Sequence, residues 1–304
     1  MNDPAARQPE CKTLEQKPKV IYILGAGRSG STVLGVTLGN CEGVFYAGEL
    51  DAWLPRSGEP QIDGPERLRF WAAIRGEVEG AELFGRDAQR SLERSLALFR
   101  IHRWRARRRL RGPYRRIAAE LYGALSRATG GMFVVDSSHY PLRARELQAV
   151  AGLELYLLFL VRDPQSVVAS FNRTDVAQYR KSTLITNVYL WLTNILSLQV
   201  FLKHPRERRL FVRYEDFAAD PERTLRRILG GVGAPVSLPD TRALRTGIPF
   251  QGNRLIKSEE IVLQPAREAH SRSLLTAVLQ FPWVMGLRFV RRSGEAASVR
   301  ARRS

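Results

Sequence analysis

Short apolar runs alternate with helix-like segments along the chain. The runs lie at residues 20–24, 132–135, 155–161 and 210–212, and each is followed by polar residues and then a helical pattern. Strands separated by helices predict a parallel sheet with helices on both faces. In such sheets ligands bind beyond the carboxyl ends of the strands. The pattern therefore predicts an α/β fold with its functional site at that edge of the sheet.

Two longer apolar segments raise the question of membrane contact. Residues 182–202 carry no charge, but Asn187 and Thr193 are among several polar residues there, and a span would separate the strands on either side. We therefore expect a helix buried against the sheet. For residues 274–290 we expect core packing, and the alternative is peripheral contact of residues 274–292 with an anionic membrane.

The organisation along the chain predicts one main domain with appendages. A helix-rich stretch separates the first two apolar runs, and we expect it to form an insertion beside the functional site. The expected parts are a disordered tail at 1–18, a domain at 19–292 with the insertion at about 64–127, and a basic tail at 293–304.

Arginine dominates the charge of the 304-residue chain. The formal net charge is +18, and only six of the 48 basic residues are Lys, which is typical of a GC-rich bacterial genome. Positive charge attracts phosphorylated cofactors, acidic glycans, anionic lipids and nucleic acid. Nine arginines lie within residues 100–116, where a solvated helical face is the simpler interpretation and an electropositive rim for an anionic acceptor the alternative. Aromatic residues are sparse there, so nucleic acid is not expected as a partner.

Cysteine and histidine usage argues against a disulfide-rich or metal-binding protein. Cys11 and Cys41 cannot form a disulfide framework, and the four histidines lie too far apart for a metal cluster. Residues 1–19 lack the apolar core of a signal peptide. We expect a cytoplasmic protein without a structural metal.

The segment GAGRSGST at residues 25–32 carries the clearest chemistry. It follows the first apolar run, and its glycine spacing is that of a phosphate-binding loop. Backbone N–H groups of such a loop, with the helix N-terminus behind it, can hold a phosphate. Nucleotide triphosphatases have Lys where this chain has Ser31, so the charge that reaches the β- and γ-phosphates is absent. Arg28 places a positive group inside the loop instead.

The segment RDPQSVVAS at residues 162–170 predicts a second anion site. Asp163 can cap the following helix and Pro164 suits its first turn. Arg162 then ends a strand, and Ser170 lies about two helical turns further on. A guanidinium can bind phosphate through two parallel charge-assisted hydrogen bonds. Pairing of Arg162 with a neighbouring acid is the alternative.

Together, GxGRSGST and RDPxxxxxS resemble the two signature motifs of the sulfotransferase family. Three other segments are similar to segments of that family, and the resemblance covers about residues 19–257. VDSSH ends in His139, where bacterial members usually have Lys. RYED begins at Arg213. GNR ends in Arg254, which follows Asn directly rather than three residues later.

The resemblance implies 3'-phosphoadenosine 5'-phosphosulfate as the donor, released as adenosine 3',5'-bisphosphate. The residues implied to hold its 5'-phosphosulfate are Gly27, Arg28, Ser29, Gly30, Ser31 and Thr32. Arg162 and Ser170 are implied to hold the 3'-phosphate. Tyr214 would lie near the adenine, and Arg254 in the segment that closes over the donor. A donor with two separated phosphates explains why the chain has two anion sites.

Sulfuryl transfer needs a base for the acceptor hydroxyl and positive charge for the leaving phosphate. Arg28 and the loop amides suit the second task. Glu49 is the first candidate base, because a Gly-Glu segment at this distance supplies the base in tyrosyl-protein and some carbohydrate sulfotransferases. His139 is the competing candidate, and it could instead contact the sulfuryl oxygens or cap its loop. Asp136 could likewise be a helix cap.

The acceptor and two rival functions stay open at this point. The acceptor hydroxyl could belong to a glycan, a lipid, a tyrosine peptide or a small natural product, and the positive charge favours an anionic glycan or glycolipid. We expect residues 50–127 to build the acceptor pocket, in which Trp53, Phe70 and Trp71 are candidate walls. A place in the core is the equal alternative for these rings. One rival is a phosphotransferase that uses ATP and Mg²⁺ through Thr32, against which Ser31 argues. The other is a basic module that binds nucleic acid or anionic lipid.

Overall fold

The computed structural model describes residues 17–80, 89–94, 104–172, 182–265 and 273–301. Five parallel strands form one sheet in the order β2-β3-β1-β4-β5. The strands are β1 Lys19–Gly25, β2 Val44–Gly48, β3 Phe133–His139, β4 Glu154–Val161 and β5 Arg209–Arg213. The predicted α/β fold is confirmed. The sequence pattern missed β2, a five-residue strand at the edge of the sheet.

Helices cover both faces of this sheet. They are α1 Ser31–Gly39, α2 Pro65–Gly76, α3 Trp104–Ala128, α4 Pro141–Leu147, α5 Pro164–Phe171, α6 Thr183–Lys203, α7 Tyr214–Ala219, α8 Pro221–Val232 and α9 Leu274–Ala301. A two-stranded antiparallel ribbon pairs Leu244–Arg245 with Glu260–Ile261. Helix α9 runs through residue 292, where we expected the domain to end. The expected tail at 1–18 lies almost wholly outside the described residues.

The central strand β1 is apolar throughout because both of its faces are covered. Tyr22 and Leu24 face a core that contains residues of α3, α4 and α6. Ile21 and Ile23 face the other core, which contains residues of α1 and α8. Side chains of a strand alternate between its two faces, so a continuous apolar run needs this double cover. The carboxyl end of β1 is thereby held rigidly at the site edge.

Asp163 and Pro164 begin α5 as the sequence predicts. The Asp163 side chain accepts a hydrogen bond of 2.9 Å from the backbone N–H of Ser166, and Pro164 is the first helical residue. This cap satisfies one of the amide groups that a helix start leaves without an intrahelical partner. It fixes the point at which the chain leaves β4, and so the direction in which Arg162 projects.

Helix α6 is only partly buried, which corrects the expectation of a buried helix. It is the one helix among the described residues that is long and apolar enough to cross a membrane by length and composition. It packs on β1 and β4 and against α9. Its buried side chains are largely polar, and they include Asn187, Thr193 and Ser197. Several of its apolar side chains, among them Val188 and Trp191, are exposed.

The insertion between β2 and β3 contains α2 and α3 and contributes an aromatic core. Trp53 and Trp71 are fully buried and pack against Phe250 at ring-centre distances of 5.2 and 5.0 Å. Phe70 packs edge-on against Trp71. Of the two alternatives for these rings, pocket wall or core, the structure shows the core.

Some of the arginines within residues 100–116 form ion pairs that join α3 to α4. Arg111 and Arg115 both bind the buried carboxylate of Glu146 on α4, at 3.1 and 2.7 Å. Residues 100–103 of the run lie outside the described residues. Two arginines of the run thus stabilise the packing of α3 on α4.

Candidate active site

A cavity of about 1440 Å³ lies at the carboxyl ends of β1, β2 and β3. The loop after β1 forms one side, and Glu49 and His139 project from the ends of β2 and β3. A short 3₁₀ turn, Arg254–Lys257, and the neighbouring sides of α6 and α9 complete the walls. The cavity therefore lies at the edge of the sheet where the sequence places the functional site.

The loop after β1 has a shape that only glycine allows at two positions. Gly25 has φ of 153°, and a Cβ there would lie 2.3 Å from the carbonyl oxygen of Leu160. Gly30 has φ of 95°, and a Cβ there would lie 2.3 Å from the ring of Tyr214. Gly30 immediately precedes α1, so the loop turns its backbone toward the helix N-terminus. Such a turn with a helix dipole behind it favours an anion.

Five of the six residues that the resemblance implies for this loop line the cavity. The cavity-lining members are Gly27, Arg28, Gly30, Ser31 and Thr32. Ser29 is buried, and its backbone N–H donates to the carbonyl oxygen of Ala26 at 3.3 Å. Arg28 itself has φ of 67°, a left-handed conformation that is uncommon for a residue with a side chain.

Tyr189 on α6 is a contact of the loop that the sequence did not reveal. Its hydroxyl accepts a hydrogen bond of 3.0 Å from the backbone N–H of Gly27. Burial raises the pKa of Tyr189, so the hydroxyl stays protonated. The residue lies in an uncharged segment with no motif of its own, and only the packing of α6 on the sheet brings it to the loop.

Arg162 joins the two predicted anion sites. Its guanidinium donates a hydrogen bond of 3.2 Å to the carbonyl oxygen of Arg28 and lies 4.6 Å from the ring centre of Tyr214. Tyr214 is buried and packs under Gly30. Ser170 is half-buried on the last turn of α5. Arg162, Ser170 and Tyr214 are not among the described residues that line the cavity.

Glu49 follows β2 directly, and a main-chain hydrogen bond fixes its position. Its N–H donates to the carbonyl oxygen of Gln251 at 2.7 Å. Burial raises the pKa of the Glu49 carboxyl to about 7. A hydrogen bond from the Gln251 side chain opposes this shift, the negative charge of Asp136 adds to it, and Arg28 opposes it. A carboxylate with a pKa near neutral is suited to accept a proton at physiological pH.

His139 ends β3 and also lines the cavity. Its backbone has φ of 56°, and its ring packs on Tyr140 with ring centres 4.6 Å apart. Burial lowers the pKa of His139 to about 4. The imidazole is therefore neutral at pH 7 and a weaker base than Glu49. It can still donate or accept a hydrogen bond in the cavity.

Asp51 is a second acid in the cavity, and the structure supplies the positioning that the sequence did not show. It is 4% exposed, and its backbone N–H donates to the hydroxyl of Ser138 at 2.9 Å. One carboxyl oxygen accepts from Gln89 at 2.8 Å, while the other has no hydrogen-bond partner in the described part of the chain. Burial and the nearby Glu93 and Glu49 raise the pKa of Asp51, which favours its neutral form.

A buried network supports these residues from behind. The Asp136 carboxylate accepts hydrogen bonds from the Tyr122 hydroxyl at 2.6 Å and from Arg143 at 3.2 Å. Arg143 also binds Glu93 at 2.7 Å. Asp136 further accepts from the backbone N–H and the hydroxyl of Ser138. Asp136 is thus not a helix cap but holds the end of β3 in the conformation that presents His139.

The segment after Phe250 closes the cavity beside Glu49. The Asn253 side chain accepts from the backbone N–H of Leu255 at 2.8 Å and begins the 3₁₀ turn. Arg254 and Lys257 of this turn line the cavity, as does Arg94 from the insertion. Within the described ranges, no three His, Cys, Asp or Glu side chains cluster as a metal site would require.

The residues around the loop fit a phosphate-containing donor. Two glycines bring the backbone into a turn at a helix N-terminus, and three cationic side chains besides Arg28 reach the same cavity. Backbone amides and guanidinium groups are the usual ligands of phosphate oxygens.

Comparison with known proteins identifies the family. Residues 18–238 match the model of the sulfotransferase family. A search among curated proteins finds no match. Among solved structures, the sulfotransferase domain from the curacin biosynthetic pathway is 18% identical, with a TM-score of 0.53 over 88% of this chain and 98% of that one. The sulfotransferase domain of the Synechococcus PCC 7002 olefin synthase is 21% identical, with a TM-score of 0.50 over 88% and 96%.

The two structural likenesses concern the fold, whereas the family match rests on the sequence and spans most of the chain. That match contains the loop after β1, Glu49, His139 and Arg162. The chain therefore belongs to the sulfotransferase family and is a transferase of sulfuryl groups.

Proposed function

We propose that the protein transfers a sulfuryl group from 3'-phosphoadenosine 5'-phosphosulfate to an acceptor hydroxyl. The observation that carries the proposal is the contact between Arg162 and the carbonyl oxygen of Arg28. It brings together the two segments that we propose to bind anions, the loop after β1 and the end of β4. A nucleotide with a 5'-phosphosulfate and a 3'-phosphate has two anionic ends, and each segment would hold one of them.

The donor, when bound, supplies an activated sulfuryl group on its 5'-phosphate. Glu49 would take the proton of the acceptor hydroxyl as its oxygen bonds to sulfur and the bond from sulfur to the phosphate oxygen breaks. Arg28 and the loop amides would stabilise the charge that remains on this oxygen. Each such donor is worth roughly 2.7–4 kcal/mol of transition-state stabilisation when it is correctly placed. His139, which is neutral, would donate a hydrogen bond rather than remove a proton.

The surroundings of Ser31 favour this function over transfer of a phosphoryl group from ATP. Ser31 is buried and carries no charge where a nucleotide triphosphatase places Lys. Arg28 and Arg162 instead supply guanidinium groups at the loop, which suit fixed, bidentate binding of an oxyanion.

Thermal stability measured with two ligands tests the proposal. Adenosine 3',5'-bisphosphate at a hundred times its dissociation constant should stabilise the protein by about 2.7 kcal/mol, which a thermal-shift titration detects. Arg28→Ala and Arg162→Ala should lose most of this shift. Arg226→Ala is the matched control, because Arg226 pairs with Glu222 on the exposed side of α8.

The competing ligand is ATP with Mg²⁺. A larger shift with ATP and Mg²⁺ than with the bisphosphate, or equal shifts in the wild type and both loop variants, would reject the proposed donor. When the bisphosphate binds as described, incubation with ³⁵S-labelled donor and a panel of alcohols should give labelled product. Glu49→Gln should form this product about 10²- to 10⁴-fold more slowly.

A further inference from the structure

One wall of the cavity is apolar and is built by two helices. Residues of α6 and α9 contribute it, and the side chains concerned are Leu184, Ile185, Val188, Trp191, Val278 and Pro282. Most of these side chains are far more exposed than an apolar residue in a core: Ile185 is 57%, Val188 60% and Val278 64% exposed. Large contiguous patches of exposed apolar side chains are rare on soluble proteins and mark binding sites.

The apolar wall exists because α6 packs with its polar side inward. Asn187 donates to the Thr276 hydroxyl at 3.0 Å, and Gln280 donates to the Asn187 side-chain oxygen, also at 3.0 Å. These buried hydrogen bonds hold α6 and α9 together. The apolar side chains named above are left to face the cavity.

The size of the cavity fits a ligand beyond the nucleotide. Sites for drug-sized molecules measure about 300–1,000 Å³. The volume here is about 1440 Å³, and the phosphate loop, Glu49 and the apolar wall all border it. A single cavity therefore has a polar end with the reacting groups and an apolar wall on α6 and α9.

We infer that the acceptor is an alcohol with an extended apolar body, which lies along α6 and α9 while its hydroxyl reaches Glu49. The inference rests on the proposed function and names the class of acceptor for that same site. A sugar would leave hydroxyl groups against Ile185 and Val188 without hydrogen bonds, which is unfavourable. The anionic glycan favoured by the net charge alone therefore fits this wall less well than an alkyl chain.

Calorimetric titration of the bisphosphate-saturated protein with straight-chain 1-alkanols tests the inference. Affinity should rise about four-fold with each added methylene from 1-hexanol to 1-decanol, because burial of each contributes about 0.8 kcal/mol. Methyl glucoside should not bind detectably at the same concentrations. Val188→Asp should weaken 1-decanol binding at least ten-fold and leave the affinity for the bisphosphate unchanged.

Val236→Asp is the matched control, because Val236 is also an exposed valine and lies outside the cavity wall. It should bind 1-decanol as the wild type does. If the bisphosphate itself fails to bind, the proposed function is wrong. If the bisphosphate binds but affinity does not depend on alkanol length, the apolar acceptor is wrong. If phosphatidylcholine vesicles bind in a Val188-dependent manner while monomeric alkanols do not, the wall contacts a membrane and the inference also fails.

Discussion

Arg162 donates a hydrogen bond of 3.2 Å to the main-chain carbonyl oxygen of Arg28. The bond joins the end of β4 to the loop after β1, which are adjacent strands in the sheet but far apart in sequence. The ring of Tyr214 supports the guanidinium from the other side, at 4.6 Å. One side chain thus positions the loop and also places positive charge beside it.

Replacing Arg162 by Lys should distinguish the effect of its positive charge on ligand binding from the effect of its planar guanidinium group. Lys keeps the positive charge but loses the planar group that bonds the carbonyl and stacks on Tyr214. We expect the affinity for adenosine 3',5'-bisphosphate to fall about ten- to hundred-fold, as for the loss of a charged hydrogen bond. Calorimetry measures it, with Arg226→Lys as control. An unchanged affinity in Arg162→Lys would show that only the charge matters.

Gly30→Ala should disable the loop. The new methyl group would meet the ring of Tyr214 at 2.3 Å, and φ of 95° is strained for any residue with a side chain. We expect a loss of unfolding free energy of at least 1–3 kcal/mol and loss of bisphosphate binding. Urea unfolding and calorimetry measure the two effects.

Gly230→Ala is the control for this substitution. Gly230 lies within α8, and a Cβ there has no neighbour within 4 Å. Alanine should therefore stabilise that helix by about 0.5–1 kcal/mol. Equal effects of the two alanines would contradict the contact between Gly30 and Tyr214.

Arg143→Met should destabilise the fold strongly. Arg143 is buried and bonds Asp136 at 3.2 Å and Glu93 at 2.7 Å, so its removal leaves two buried carboxyl groups without their cation. Breaking such a buried pair costs about 3–5 kcal/mol. Arg127→Met is the control, because the ion pair of Arg127 with Glu77 is exposed and worth about 1 kcal/mol or less. Similar midpoints in urea for both variants would refute the role of the network.

The sequence predicts the parallel sheet and the cap at Asp163 because both depend on local patterns. Apolar runs in a doubly covered sheet are continuous, and Asp before Pro is a strong helix start. The sequence pattern did not predict β2, because polar and apolar side chains alternate only weakly in its five residues and the strand ends in Gly48. The presence of Glu49 at a strand end is visible only in the folded chain.

The contacts of Tyr189, Asp51 and α6 could not be read from the sequence for a different reason. Each depends on which side of an element packs inward, and the inward side of α6 is largely polar. Buried Asn187 is stabilised by partners on α9, some ninety residues away in the chain. Pairing over that separation leaves no local signal.

The pH dependence of activity should identify the base. If Glu49 accepts the proton, kcat/KM should rise about ten-fold per pH unit below its pKa of about 7 and level off above it. Glu49→Gln should lower kcat about 10²- to 10⁴-fold. If His139 were the base, with its pKa of about 4, the rise would be complete by about pH 5. His139→Ala should therefore keep the rise near pH 7, and a profile that flattens in this variant would reassign the base.

Stability should depend on Glu49 in the opposite direction from activity. The folded-state pKa of about 7 lies above the ordinary value of 4.5, so between these values the folded protein binds more protons than the unfolded chain. Its stability contribution therefore falls as the pH rises through this window.

Gln cannot ionise and avoids this loss, so Glu49→Gln should be more stable than the wild type above pH 7, by up to about 3 kcal/mol. The difference should vanish below about pH 4.5. Urea unfolding at pH 4.5, 6 and 8 measures it. The lowered pKa of His139 makes stability rise with pH between about 4 and 6.5, but this effect is common to both proteins and cancels in their difference. A difference that is independent of pH would mean that Glu49 ionises as freely in the folded protein as in the unfolded chain.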